Sequence, residues 1–180
     1  MYPEWVLNKI REEGRSLEEC LVEKLAAEKL TITTAESCTG GLIAGTIVNV
    51  AGASDVLNEG YVTYSNEAKE RLVGVSHETL EAYGAVSEQT AREMAEGAAK
   101  AAHADVALSS TGIAGPGGGT ADKPVGLVYV GCCVFGKTKV MKCQFSGDRA
   151  ENRADTVKEA LSLALSLLQD EGSNNNSLTV

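Results

Sequence analysis

The sequence predicts an α/β layered domain with a mixed, mainly parallel sheet, and three observations carry that prediction. Segments with helical periodicity alternate with short β-branched segments through the first two thirds of the 180 residues. The early strand-like segments run directly into small, polar, glycine-bearing turns and then into helical patterns, the order expected of parallel strands joined by helices. In the last third, two apolar strands flank a glycine turn and form a β-hairpin.

Composition narrows the function before any motif is weighed. The net charge is −9 and no lysine or arginine cluster recurs on one face, so the electrostatic footprint of a nucleic-acid binder is missing. No apolar run reaches the roughly 18 to 20 residues a bilayer span needs, and the N-terminus lacks the basic-then-apolar order of a signal peptide. A soluble, cytoplasmic protein without a membrane partner is expected. Five cysteines, with Cys132 and Cys133 adjacent in an apolar strand, read as buried thiols rather than a disulfide framework. With two histidines, His77 and His103, and no cysteine pair at zinc-ligand spacing, neither a metal nor another cofactor is expected.

Residues 1–15 form a lead carrying Trp5, to which no function is assigned. Ser16 and Glu19 have capping-box spacing ahead of Leu17, Leu21, Leu25 and Ala26, which predicts a helix over 16–29. A strand over 30–35 follows, then a helix over 39–51 whose apolar, glycine-bearing pattern predicts burial on all sides and close packing. NEGYVTYS predicts a strand over 58–65, and SNEAKERLVGV a short helix capped by Ser65 or Asn66 and stopped by Gly74. Another short helix is expected over 76–83, ending at Gly84, and an amphipathic helix over 88–103 with Ser87 as cap. Asp105–Ser110 reads as a buried strand entering a loop with five glycines and two prolines between Thr111 and Pro124. Val125–Phe135 and Thr138–Phe145 make the hairpin, turning at Gly136 and Lys137, and a final helix spans 150–168. The domain should therefore cover 16–170, with a disordered tail over 171–180.

Three polar turns follow predicted strands: TTAESCTGG, YSNEAK and SSTGIAGPGGG. Parallel neighbours would bring them to one edge of the sheet, where α/β proteins place their ligands, and SGDR could reach the same place. The reactive groups there are Ser37, Cys38, Tyr64, Lys69, Ser110, Thr111 and Arg149. Serine needs a base and histidine is scarce, but lysine serves if its pKa falls from about 10.4 toward neutrality, a change of about 4 kcal/mol. Ser37 with Lys69 is thus a coherent dyad, Tyr64 can relay or orient the proton, and amides around Cys38–Gly41 can hold an oxyanion. The plain alternative is that Ser37 caps a helix and Lys69 lies on a solvated face. Cys38 is a rival nucleophile, since a helix N-terminus lowers a thiol pKa, but it ranks below a buried structural cysteine. The glycine-rich loop could cradle a phosphate, though Pro116 interrupts it and no Walker motif is present. Arg149 could clamp that phosphate or pair on the surface with Asp148 or Glu151.

TTAESCTGG, GYVTYSNEAKERLVGV, GAVSEQT, STGIAGPGGGTADKPVGLVY and FSGDR, taken together and in order, resemble the successive signatures of the CinA C-terminal domain family, the nicotinamide-nucleotide amidases. The resemblance covers about residues 16–168. It implies a three-layer α/β/α sandwich and metal-free hydrolysis of nicotinamide mononucleotide to nicotinate mononucleotide and ammonia by a serine and lysine dyad. In this chain that makes Ser37 the nucleophile and Lys69 the base, with Tyr64 and Thr111 as supporting groups. Substrate contacts would fall to Thr39, Gly40 and Gly41 in the turn, Gly112 and Gly115 in the loop, and Arg149 in SGDR. A phosphorylated pyridine nucleotide is the implied partner, and a homo-oligomer the implied assembly. Many relatives carry this domain behind a larger one, so the chain is either a stand-alone version or a piece. Some relatives are linked to competence, which leaves a non-catalytic nucleotide- or protein-binding module as the alternative.

Overall fold

The structure, a computed structural model, describes residues 14–175. The expected lead thus lies almost wholly outside the described residues, as do residues 176–180. The elements run α1 (Leu17–Glu28), β1 (Ile32–Glu36), α2 (Leu42–Ile47), a 3-10 turn (Ala53–Asp55), β2 (Tyr61–Val62), α3 (Asn66–Val73), α4 (His77–Tyr83), α5 (Glu88–Ala102), β3 (Val106–Gly112), β4 (Leu127–Val134), β5 (Lys137–Gln144) and α6 (Arg149–Asn175).

The five strands form one sheet in the order β2-β1-β3-β4-β5. β1 is parallel to both β2 and β3, whereas β4 is antiparallel to β3 and to β5. Four of the five strands therefore share a direction, and only β4 opposes them, because the hairpin is its sole tight connection. Helices cover both faces. Leu21 and Leu25 of α1, Ile43 and Ile47 of α2, and Leu161, Leu165 and Leu168 of α6 pack with Ile32, Leu108 and Val130 on one face. Val73, Leu80, Met94, Ala95 and Ala98 of α3, α4 and α5 pack with Ala35, Ala107 and Cys133 on the other. This is the three-layer α/β/α sandwich. Each fully buried leucine contributes about 2 kcal/mol, so the two apolar layers supply the main force clamping helices onto the sheet.

Most helix ends form where their residues call for them. Ser16 and Glu19 make a reciprocal capping box at α1. Ser65, Ser76 and Ser87 each accept an amide from the first turn of α3, α4 and α5. Gly74 ends α3 in the left-handed region at φ 67°.

Several boundaries differ from expectation for identifiable reasons. α2 spans six residues rather than 39–51, because residues 37–41 form a turn with Gly40 and Gly41 at positive φ. It is buried on one side only, with Leu42 38 % and Val48 58 % exposed, and Gly45 faces open space. The close helix approach occurs instead at Gly97 of α5, where a Cβ would collide with the Val73 carbonyl. β2 shrinks to two residues because it sits at the sheet edge with a single neighbour. The hairpin turns at Phe135 and Gly136, φ 48° and 78°, one position earlier than expected, since a two-residue turn of this hand needs two positive φ values. α6 continues through the residues expected to begin a disordered tail and is helical through Asn175, the last described residue.

Candidate active site

Strand alternation decides what sits at the end of β1. Successive side chains point to opposite faces, so Ile32, Thr34 and Glu36 share the face of α1, α2 and α6, while Thr33, Ala35 and the following Ser37 look toward α3 and α5. The register pairs Glu36 with Ser110 of β3, and Ser110 obeys the same parity. Thr111 is on the Ser37 side, which puts Ser37, Thr111 and the α3 lysine around one cavity.

That cavity, about 240 Å³, opens at the carboxyl ends of β1, β2 and β3 and is lined by Ser37, Cys38, Lys69, Thr111 and Arg149 among others. Lys69 is 1 % exposed. Its Nζ donates to Ser37 Oγ at 3.1 Å and to the Thr63 carbonyl at 2.9 Å. Burial lowers the Lys69 pKa from its ordinary value, while the Cys38 and Glu67 charges oppose that only in part. A buried amine held by a carbonyl and aimed at a half-buried serine is poised to accept the serine proton once neutral.

Around this pair the sequence-predicted residues fall into two groups. The cavity gathers Ser37, Lys69, Tyr64, Thr111, Gly112 and Arg149. Thr111 Oγ1 is already committed to the Ala85 carbonyl at 2.6 Å, so it fixes the loop between α4 and α5 as a cavity wall. Tyr64 is 61 % exposed, and its hydroxyl accepts from Arg149 Nη2 at 3.1 Å rather than contacting Lys69 or Ser37. Tyr64 thus lines the cavity as a partner of Arg149. Arg149 also donates to the Gly115 carbonyl at 2.8 Å, which ties the glycine-rich loop to the start of α6. Arg149 pairs with neither Asp148 nor Glu151; those two cap α6 reciprocally, Asp148 Oδ1 taking the amides of Ala150 and Glu151.

The second group lies away from the cavity. Thr39 is fully buried on the opposite face, its hydroxyl donating to Glu36 at 2.6 Å and lying 2.7 Å from Ser110 Oγ. The Gly40 amide donates to the Ser37 carbonyl and the Gly41 amide to Glu36 Oε2. These groups are engaged within the turn, and Thr39, Gly40 and Gly41, expected as substrate contacts, are not among the residues lining the cavity. Of the turn's remaining amides, that of Cys38 belongs to a residue lining the cavity, whereas Thr39 is buried away from it. Cys38 itself is a buried thiol pushed up to about 11, chiefly by desolvation, which disfavours the thiolate a cysteine nucleophile needs.

Sequence reasoning missed Glu36. This carboxylate is fully buried and accepts four hydrogen bonds, from Thr39 Oγ1 and the amides of Gly41, Ile43 and Ala44. It caps α2, the job expected of Ser37 or its neighbours. Its signal was strand parity: one residue before a serine on the cavity face, it had to lie on the helix-α2 face. Asn152, 1 % exposed, was also missed; it accepts the Gly147 amide and donates to the Ala114 carbonyl, stapling the SGDR turn to the glycine-rich loop. Elsewhere, among the described residues no group of three His, Cys, Asp or Glu side chains is placed to hold a metal, and no helix is long and apolar enough to cross a membrane.

With this geometry in hand, comparison with known proteins identifies the lineage. Residues 14–168 match the model of the CinA C-terminal domain. The chain belongs to the CinA C-terminal domain family. A CinA-like protein of Kosmotoga olearia is 60 % identical over 153 residues, covering 81 % of this chain and 37 % of the relative. A Clostridium acetobutylicum protein named for competence and damage induction is 56 % identical over 146 residues, covering 81 % and 36 % respectively. The chain thus spans just over a third of the length of these CinA relatives. Among solved structures, a CinA superfamily protein of Klebsiella pneumoniae superposes with a TM-score of 0.83 at 34 % identity, covering 86 % of this chain and 96 % of that one. A competence/damage inducible protein of Agrobacterium tumefaciens gives 0.79 at 43 % identity, covering 85 % and 96 %. The CinA relatives and this chain share one α/β fold.

Proposed function

We propose that this domain is an amidohydrolase that converts nicotinamide mononucleotide to nicotinate mononucleotide and ammonia through an acyl-serine. The single observation that carries the reading is the Lys69 Nζ to Ser37 Oγ contact of 3.1 Å made by a lysine whose pKa burial lowers. Neutral Lys69 takes the Ser37 proton as Oγ bonds to the carboxamide carbon. The charge that develops on the carbonyl oxygen is met by the backbone amide of Cys38, which lines the cavity next to Ser37. The carbon–nitrogen bond breaks as the lysine ammonium returns its proton to the leaving nitrogen, and ammonia departs. Water then adds to the acyl-serine, Lys69 takes its proton, and the carboxylate product leaves with the serine hydroxyl restored. Arg149 at the cavity rim, beside the glycine-rich loop, is suited to an anionic group such as the nucleotide phosphate.

The test is ammonia release from nicotinamide mononucleotide. Ser37→Ala and Lys69→Ala should each lower kcat by about 10³-fold or more, and turnover that survives both changes sinks the dyad. Arg149→Ala should raise KM by about tenfold for phosphorylated substrates and leave the unphosphorylated riboside unaffected; equal effects on the two would remove the phosphate from its role. A nucleotide- or protein-binding module without turnover is the second reading, favoured by the competence and damage names of the relatives. Tight nucleotide binding with no acyl-Ser37 detectable by mass spectrometry would select it.

A further inference from the structure

The turn between β1 and α2 holds two adjacent potential nucleophiles, Ser37 and Cys38, and only one has a base. Both line the cavity. What separates them lies behind the turn, on the face that no substrate reaches. There the Glu36 carboxylate collects the Thr39 hydroxyl at 2.6 Å and the amides of Gly41, Ile43 and Ala44 at 3.0, 2.9 and 2.8 Å. Oε2 takes three of these bonds and Oε1 one, so both oxygens are engaged and the carboxylate can sit in one orientation only.

Two consequences follow for the reacting side. First, the α2 amides that would otherwise attract an anion are consumed internally, so the turn's donor at the cavity is narrowed to Cys38, next to Ser37. Second, the Glu36 carboxylate occupies the amides through which a helix N-terminus would normally favour a thiolate. We infer that Glu36 is a positioning residue that fixes the nucleophile turn from behind, leaving the Cys38 amide as the turn's oxyanion donor and keeping serine, not the neighbouring cysteine, as the reactive group. The groups facing the Cys38 thiol are consistent with this: burial is the main effect that holds it protonated and the Glu36 charge adds to it, against hydrogen bonds from Ser110 and from its own backbone and the weaker effect of Lys69. The oxyanion part of this inference rests on the amidase reading, whereas the cysteine part stands without it.

The test uses Glu36→Gln, which keeps the shape, removes the charge and sets an amide donor against at least one of the four donors. Ammonia release from nicotinamide mononucleotide should show kcat lowered by about 10- to 100-fold with KM within about twofold, on protein whose melting curve shows it folded at the assay temperature. Alkylation of Cys38 by iodoacetamide, followed by peptide mass spectrometry, should speed up by about tenfold. Unchanged kcat together with unchanged Cys38 alkylation in folded Glu36→Gln overturns the inference. If that variant does not fold, Thr39→Val and Thr39→Ser decide. Valine deletes one of the carboxylate's four bonds and should lower kcat at constant KM, and serine should restore it; a valine variant with parental kcat overturns the inference. If the parent protein releases no ammonia, the amidase reading has failed, and Cys38 alkylation alone then decides the remaining claim in either direction.

Discussion

Glu36 and Ser37 are neighbours in sequence and opposites in structure. Glu36, fully buried, has both carboxylate oxygens engaged in four internal hydrogen bonds. Ser37, half-buried, faces a cavity with the Lys69 amine 3.1 Å away. One face of the strand end is fully satisfied and rigid; the other keeps its polar groups open for a ligand. The pairing shows how a fold can combine stability with reactivity across a single peptide bond, because strand parity sends adjacent side chains into different layers.

The contrast can be broken in opposite ways. Ser37→Ala should abolish turnover yet move the unfolding free energy by no more than about 1 kcal/mol, since its hydroxyl makes one hydrogen bond among the described residues, to a Lys69 amine that keeps the Thr63 carbonyl as partner. Glu36→Ala should cost about 3 kcal/mol, because a hydroxyl and three amides lose their acceptor together. Denaturant unfolding of both variants measures the difference, and comparable losses would dissolve the distinction between the faces. Asn152→Ala should cost about 2 kcal/mol by orphaning the Gly147 amide and Ala114 carbonyl, and should loosen the cavity rim without touching the dyad. Hydrogen exchange confined to residues 112–119 and 146–149 is the expected signature; uniform exchange across the domain would refute the local staple.

The smallest effect sharpens the cavity face. Lys69→Met should raise stability at neutral pH by about 1 kcal/mol, since a buried amine is exchanged for an apolar chain. The folded-state pKa of Lys69 is depressed, so between that value and the ordinary lysine value near 10.4 the unfolded chain binds more protons and parental stability rises with pH. Methionine has no such slope. Its advantage should be complete below the depressed value and shrink as pH climbs through the window, which thermal melts across a pH series can follow. An advantage constant with pH would mean that the lysine is not destabilised by burial.

The layered fold was readable because it rests on periodicity: Leu17, Leu21 and Leu25 at helical spacing, serines at four helix starts, and β-branched runs between them. The grouping of Ser37 with Lys69 was readable as chemistry, since few bases were on offer. Side-chain orientation was harder. Thr39 and Gly41 lie in the same motif as Ser37, and a linear motif does not reveal that the chain doubles under itself at Gly40 and Gly41 to deliver them to Glu36. The Tyr64–Arg149 contact was not legible because the two residues are 85 positions apart, nor was the Asn152 staple, because its two partners belong to two different loops. Long-range hydrogen bonds of this kind leave no periodic trace.

The last strand carries a consequence for how copies of the molecule meet. β5 is an eight-residue edge strand with Lys137, Lys139 and Lys142 exposed along it, whereas the opposite edge, β2, is two residues long. Extending the sheet from one molecule to the next through β5 would bring ammonium groups of both copies together, and β2 offers too little backbone for a ladder. The open sheet is thereby closed to filament growth at both ends.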